Sequence, residues 1–493
     1  MNRQSACTRR SFLYKTGLTI GGAMASANLY TAPVEAQTMR IRPDIATIKA
    51  NDPLLDALKK GVTALRALDN TDPTNPKGWT KLAKIHEAFC PHSNWFFLPW
   101  HRAYLYHFEQ VCRDASGNPN FVLPYWDWTK SPSLPWQFWG AGNPLMDDTR
   151  EIDSNDTASP NNVGQNVIYG GGGKLGIVNI TDFITFASSP TTTPSGPLNP
   201  SQLPQIQRER AGYGVLEGTP HNYIHGTFVR GNMAMSMSPL DPIFWLHHAN
   251  IDRLWTEWVK RNPNQMPKDM TQQWKFWYDF QLMGFDNIRK TGRPALTVRS
   301  VLSTYALGYR YDTQPAIRVP LTLAKVFPSF SPEMANIKAV GQTATTTEAL
   351  TAESNVSPEL RRHINRVRTV AVARAAASNA TRIRLTLEVK PPEDLRTIVR
   401  VFLNSPSANQ KTPTGDPSFV GAFSFFGDDH ADHSDTGSRF TFDVTRTVRN
   451  LTSNGLFKDD GYVRVSLVPV AHDRASETKA SVHLISFRLE AVS

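Results

Sequence analysis

Eight of the chain's thirteen histidines fall between residues 86 and 248, in two groups: His86, His92, His101 and His107, then His221, His225, His247 and His248. Scattered surface histidines would not gather this way, and metal binding is the leading alternative to chance. His221 and His225 stand four apart, so on a helix both rings project from one face. His247-His248 opens a further helix whose apolar side runs on through Ile251 and Trp255. In the first group, His86, His92 and His101 are embedded among Phe89, Trp95, Phe96, Phe97 and Trp100. Any one of them reads as a core histidine satisfied by hydrogen bonds, but two triplets in one chain do not. A zinc peptidase needs Glu directly after the first histidine of an HxxxH pair as its general base. Asn222 stands there and excludes it. Imidazole suits copper in both oxidation states. Three neutral ligands per ion leave a position open, and two such sites face to face can hold dioxygen between them. An aromatic wall would exclude water and orient a planar substrate.

At 493 residues, 40% hydrophobic and 19% charged, the chain exceeds one ordinary domain and can bury a large core. The formal charge is +10, of which a net +3 sits in residues 1–36, so the remainder carries about +7. Spread over so many residues, this is a solubility feature. No Lys/Arg run interleaved with aromatics suggests nucleic acid. The stretch Thr16 to Val34 is diluted by Gly, Ser, Thr and Asn and falls short of the ~20 apolar residues of a membrane span. Thr8-Arg9-Arg10-Ser11-Phe12-Leu13 with Lys15, a mildly apolar stretch and Val34-Glu35-Ala36 read as a twin-arginine export signal over 1–36. The expected location is periplasmic or secreted, with the twin-arginine translocation machinery as a partner during export. Of three cysteines, Cys7 would leave with the signal. Cys90 and Cys112 remain, and counting alone leaves a bridge between them open.

The spacing predicts a mainly α-helical region over 37–312, with helices through Ala103 to Val111 and Ile251 to Val259. Residues 313–380, rich in Ala, Thr, Ser and Arg, read as a linker. In 381–493, Ile383/Leu385/Leu387/Val389, Val463/Val465/Leu467 and His483/Ile485/Phe487/Leu489 alternate as strands of a small β-sandwich.

Three stretches resemble the tyrosinase family, with its catechol oxidases and, more remotely, the molluscan hemocyanins. They are Phe97-Leu98-Pro99-Trp100-His101-Arg102, Pro124-Tyr125-Trp126-Asp127-Trp128, and the run from Asp241 through His247-His248 to Trp255. Tyr309-Arg310-Tyr311 looks like the family's closing Tyr-x-Tyr motif. The resemblance implies a four-helix bundle core holding two copper ions, followed by the β-sandwich. It implies a type-3 copper oxidase that hydroxylates monophenols to o-diphenols and oxidises these to o-quinones with O2. A catechol oxidase without monophenolase activity is the alternative, and a hemocyanin-like oxygen-binding protein a more distant one.

Carried over residue by residue, the resemblance gives His86, His92 and His101 to the first copper and His221, His225 and His248 to the second. His247 stands beside the second copper, and His107 matches no ligand position. Asp252, four residues beyond His248, would brace the site, or pair with Arg253 or a helix end. Cys90-Pro91-His92 resembles a Cys-x-His in which sulfur is joined to the histidine ring; otherwise Cys90 is a buried thiol. Glu217 and Asn222 match a pair that orients a water to deprotonate a monophenol, although Glu217 could cap its helix instead. Among Met233, Met235 and Met237, Met237 matches a gating position, and core packing explains the triplet equally.

The C-terminal region bears a looser likeness to the shielding domain of plant and some bacterial polyphenol oxidases. An aromatic from Phe423, Phe425 or Phe426 would occupy the substrate's place, with Phe425 and Phe426 the candidate gates; otherwise these phenylalanines fill the sandwich core. Gly427-Asp428-Asp429 would form the adjoining turn, and the stretch around 343–357 would be the point of proteolytic release. His430 and His433 would handle copper or decorate a loop.

Overall fold

The computed structural model describes residues 39–158, 169–170, 174–175, 180, 182–191, 199–263, 266, 272–315, 342–345, 349–369, 382–392, 395–426, 437–457, 461–471 and 481–492. The export signal, Gly427-Asp428-Asp429, His430 and His433 lie outside them. No helix among the described residues is long and apolar enough to cross a membrane.

Four helical segments build the core of the first region. Helix α1 (Pro53–Thr71) starts where the Asp52 side chain accepts from Leu54 N–H at 2.8 Å and Pro53 fixes the first turn. Helices α2 (Trp79–Phe89) and α3 (Phe97–Ser116) follow, the latter stopped by Gly117 at φ +68°. Helix α4 (Ile243–Arg261) is buried along almost its whole first three turns, as expected of a central element. It takes in His247 and His248 in its interior, so that pair does not open the helix. His221 and His225 occupy a stretch of π-helix, Glu217–His221 and Tyr223–Val229. Pro220 lies within it, lacking the N–H that an ordinary helical ladder requires. Two short parallel strands, β1 (Arg40–Arg42) and β2 (Tyr309–Tyr311), tie the ends of the region together.

The second region is a sandwich of two four-stranded antiparallel sheets. Its strands are β3 (Gln342–Thr345), β4 (Leu350–Asn355), β5 (Arg382–Lys390), β6 (Thr397–Leu403), β7 (Phe419–Ser424), β8 (Ser438–Asp443), β9 (Tyr462–Ala471) and β10 (Ser481–Val492). They run in the orders β8-β5-β10-β3 and β4-β9-β6-β7. Two expectations change here. The described part of the supposed 313–380 linker holds β3, β4 and the helix Pro358–Thr369, because Gln342–Thr345 pairs with β10 and Leu350–Asn355 with β9. Within the stretch around 343–357, the described residues 343–345 and 350–355 are paired strand, which makes them poor protease sites. The β10 alternation also slips. A bulge between Leu484 and Ser486 breaks register with β5. As a result Val482 and Leu484 face inward, in place of His483 and Ile485, while Phe487 and Leu489 face inward as read.

The sandwich is anchored to the helical core at several points. Arg384 of β5 makes a two-pronged bond to Asp182, Nε to Oδ2 at 2.7 Å and Nη2 to Oδ1 at 2.8 Å, both side chains nearly buried. Tyr213 N–H donates to Arg439 O at 2.7 Å, Thr441 N–H donates to Tyr213 O at 3.0 Å, and the Tyr213 and Phe440 rings stack at 5.0 Å.

Candidate metal centre

His86 sits in the last turn of α2, His92 in the loop beyond it, and His101 in the second turn of α3. The Nδ1 atoms of His86, His101 and His225 lie 2.6 Å from Ser236 O, 2.8 Å from Phe97 O and 2.6 Å from Met233 O. A carbonyl only accepts, so each Nδ1 carries the proton and each Nε2 presents a lone pair. The Asn222 amide donates to Ser424 O at 2.9 Å, which turns its Oδ1 toward His221 Nδ1 at 3.0 Å and fixes that ring in the same tautomer.

The ligand atoms converge in two groups. Those of His86, Cys90, His92 and His101 lie within 4.8 Å of one another, and so do those of His221, His225, His247 and His248. His101 of one group stacks on His248 of the other at 4.1 Å. Burial holds the imidazoles of His101, His221, His225 and His248 neutral. His221 is pushed down to about 3, and desolvation with the neighbouring rings drives His101, His225 and His248 well below the usual range. Two Nε2 atoms, of His225 and His248, stand 3.1 Å apart, while His221 Nε2 is buried with no hydrogen-bond partner. Neutral nitrogen donors packed this way, with lone pairs aimed inward, fit a cation of the copper kind in each group.

His247 falls inside the second group, its ring 4.8 Å from His225 and both nitrogens buried without hydrogen-bond partners. His107 packs apart from both groups, 5.0 Å from Phe285, and burial pushes it down to about 4. Cys90 Sγ lies 3.6 Å from His92 Nε2 and 3.3 Å from His101 Nε2. Cys112 instead abuts Gly61, where an added Cβ would come within 2.4 Å of its sulfur. Both cysteines are free, and the bridge left open by counting is absent.

Glu217 is fully buried, with Oε1 accepting from Ser93 N–H at 2.7 Å and Oε2 from Ser188 Oγ at 2.6 Å. Desolvation raises its carboxyl to about 8, against the pull of those two bonds. Its two oxygens hold Ser93 and Ser188, and it stands in the first turn of its helical segment, where the helix-end reading also places an acid. Ser93 adopts φ +55°, costly for a residue with a Cβ, and its carbonyl accepts from Ala211 and Gly212 N–H at 3.0 and 2.6 Å. Glu217 thus ties the His221 segment to the loop that carries His92.

Phe426, just past β7, lies over both groups: its ring centroid is 5.0 Å from His92, 4.8 Å from His225 and 5.8 Å from His221. Phe425 turns the other way, against Phe423 and Phe440 at 5.6 and 5.7 Å. The approach is close. Thr219 Oγ1 donates to Ala422 O at 2.7 Å, and a Cβ on Gly226 would come within 2.3 Å of Phe425 O. Met237, partly exposed, directly follows Ser236 on the turn whose carbonyls hold His86 and His225. Phe97 and Phe244 complete the wall, 4.8 Å from His221 and 4.3 Å from His248.

The remaining motif residues lock the helices. Asp252 does not pair with Arg253. It accepts from Arg102 Nε at 2.5 Å and from the hydroxyls of Tyr309 and Tyr311 at 2.8 and 2.6 Å, coupling α3 to α4 beside His101 and His248. Arg253 turns instead to Asp127 at 3.1 Å and Asn250 at 2.9 Å. The sequence reading missed Ser93, Ser188, Met233 O and Ser236 O. The last two act through backbone carbonyls, which leave no residue-type signal.

A helical core that sets two imidazole groups face to face, each with ligand atoms close enough to hold a metal ion, is backed by a β-sandwich. Residues 70–210 and 186–261 match the common central domain of tyrosinase, and 336–488 match a domain of unknown function, DUF7868. Residues 70–261 thus carry the central domain of the tyrosinase family of type-3 copper proteins. The chain is 26% identical over 492 residues to chloroplastic polyphenol oxidase E of Solanum lycopersicum, covering 92% of this chain and 77% of that protein. It is likewise 26% identical over 444 residues to the tyrosinase HcTyr1 of a Hahella species, covering 81% and 84%. Latent apple tyrosinase shares the fold, with a TM-score of 0.64 at 20% identity over 92% of this chain and 98% of that one.

Proposed function

We propose that this chain is a phenol-oxidising type-3 copper enzyme in which His86, His92 and His101 hold one copper and His221, His225 and His248 the other. Two bound coppers would supply the reduction of dioxygen needed to hydroxylate monophenols to o-diphenols and oxidise these to o-quinones. The observation that carries the reading is the pair of histidine groups whose ligand atoms lie within 4.8 Å of one another, with Nδ1 of His86, His101 and His225 turned to carbonyls so that Nε2 is left to bind a metal. Phe97 and Phe244 keep water out, and Phe426 takes the place a planar phenol would need. The description of the apple protein as latent supports reading Phe426 as a plug. Glu217 and Asn222 are the pair we assign to accepting the monophenol proton through a water. In the covered chain the Asn222 amide donates to Ser424 O at 2.9 Å, which orients the side chain.

A thioether between Cys90 and His92, and twin-arginine export to the periplasm or beyond, belong to the same proposal. One observation favours the narrower catechol oxidase: both oxygens of Glu217 are already engaged, as in a brace. Metal analysis and oxygen uptake on catechol and a monophenol test the reading. The protein is expected to hold two coppers, and His101→Ala or His248→Ala to lose one copper and nearly all turnover. Full activity in either variant, or zinc in place of copper, would refute it.

A further inference from the structure

The two histidine groups differ in how they meet solvent. A cleft of about 1130 Å³ opens where the segment 201–213 meets β8 and β10. Exposed Gln205 and Arg439 line it, and so do His86, Cys90 and His92. No member of the second group lines it. His92 is partly exposed, whereas His221, His225 and His247 are 0% exposed and His248 1%. Phe426 and the Thr219 and Asn222 bonds to β7 close the second group from the sandwich side. The cleft far exceeds the ~30 Å³ share of one water, so a hydrated ion fits it. At its inner end Cys90 adds a soft sulfur to the imidazoles, a donor set suited to Cu(I). From there the way inward is short: the His92 and His221 rings are 5.7 Å apart, and His101 lies against His248 at 4.1 Å.

We propose that, in the covered chain, the first histidine group is the port for both metal sites: copper reaches His221, His225 and His248 only by way of the cleft and His86, His92 and His101. The proposal rests on the dicopper reading above, and its consequence is ordered loading, first group before second, for as long as the sandwich stays docked.

Metal-free full-length protein would be given Cu(I) in a weakly chelating buffer and followed by native mass spectrometry. His248→Ala, with the first group intact, is expected to take up its single copper as fast as wild type takes up its first. His101→Ala, with only the second group intact, is expected to load slowly, and Phe426→Ala added to it should restore fast loading. Gln205→Trp, at an exposed position on the cleft, should slow uptake of both ions without changing the final stoichiometry. Equal rates for His101→Ala and His248→Ala, or no effect of Gln205→Trp, would overturn the port. Wild-type protein that never binds copper would instead defeat the dicopper reading itself.

Discussion

The clasp between Asp182 and Arg384 makes the hold of the sandwich on the helical core measurable. Burial alone would raise the Asp182 carboxyl, but the charge of Arg384 and its two hydrogen bonds, with Arg382 and Thr185, hold it at about 2 against an ordinary 3.8. That difference corresponds to about 2 kcal/mol in favour of the folded, charged form. Removing one partner of a buried pair typically costs ~3–5 kcal/mol, because the other charge is left unpaired. Arg384→Met should therefore lower the stability of the intact chain by about 2–5 kcal/mol near neutral pH. Because the folded carboxyl is depressed, its contribution is complete above the ordinary value and is lost as pH falls from about 4 through about 2. Urea unfolding of wild type and variant is thus expected to show a wide gap at about pH 7 that closes toward about pH 3. A gap of constant size across that range, or no gap near neutrality, would refute the assignment of the clasp as a buried, charged pair.

Three further outcomes follow from the site. Phe426→Ala is expected to raise phenol turnover of the intact chain, whereas Phe425→Ala should cost ~3–5 kcal/mol in a melt and activate nothing; activation by Phe425→Ala and not by Phe426→Ala would exchange their roles. Glu217→Gln keeps an acceptor for Ser93 N–H and should retain copper while losing ~10²–10⁴-fold more monophenol than diphenol turnover; equal losses would make Glu217 a brace alone. Peptide mapping of copper-loaded protein should show the Cys90–His92 peptide two hydrogens light and resistant to alkylation, and a freely alkylated Cys90 in fully active protein would remove the crosslink from the mechanism.

The gathered histidines were legible from sequence because ligation demands a residue type at a spacing, and both survive as letters. The same holds for the helical character of the first region, for the inward strand faces of Ile383 to Val389, and for Arg102, Asp127 and Tyr309-Arg310-Tyr311, whose motifs were visible before their partners were. The partners themselves came only from the fold. Asp252 takes Arg102 and two tyrosine hydroxyls instead of the adjacent Arg253, since a buried carboxylate pairs with whatever cation packing delivers. Ser236 O and Met233 O set two imidazole tautomers through backbone atoms that every residue possesses. The bulge in β10 shifts the phase of an alternating pattern without altering its composition. Phe425 and Phe426 are adjacent and chemically identical, yet one fills the sandwich and the other covers the histidines. That choice depends on where the chain leaves β7 and on the space at Gly226, and no local pattern encodes it.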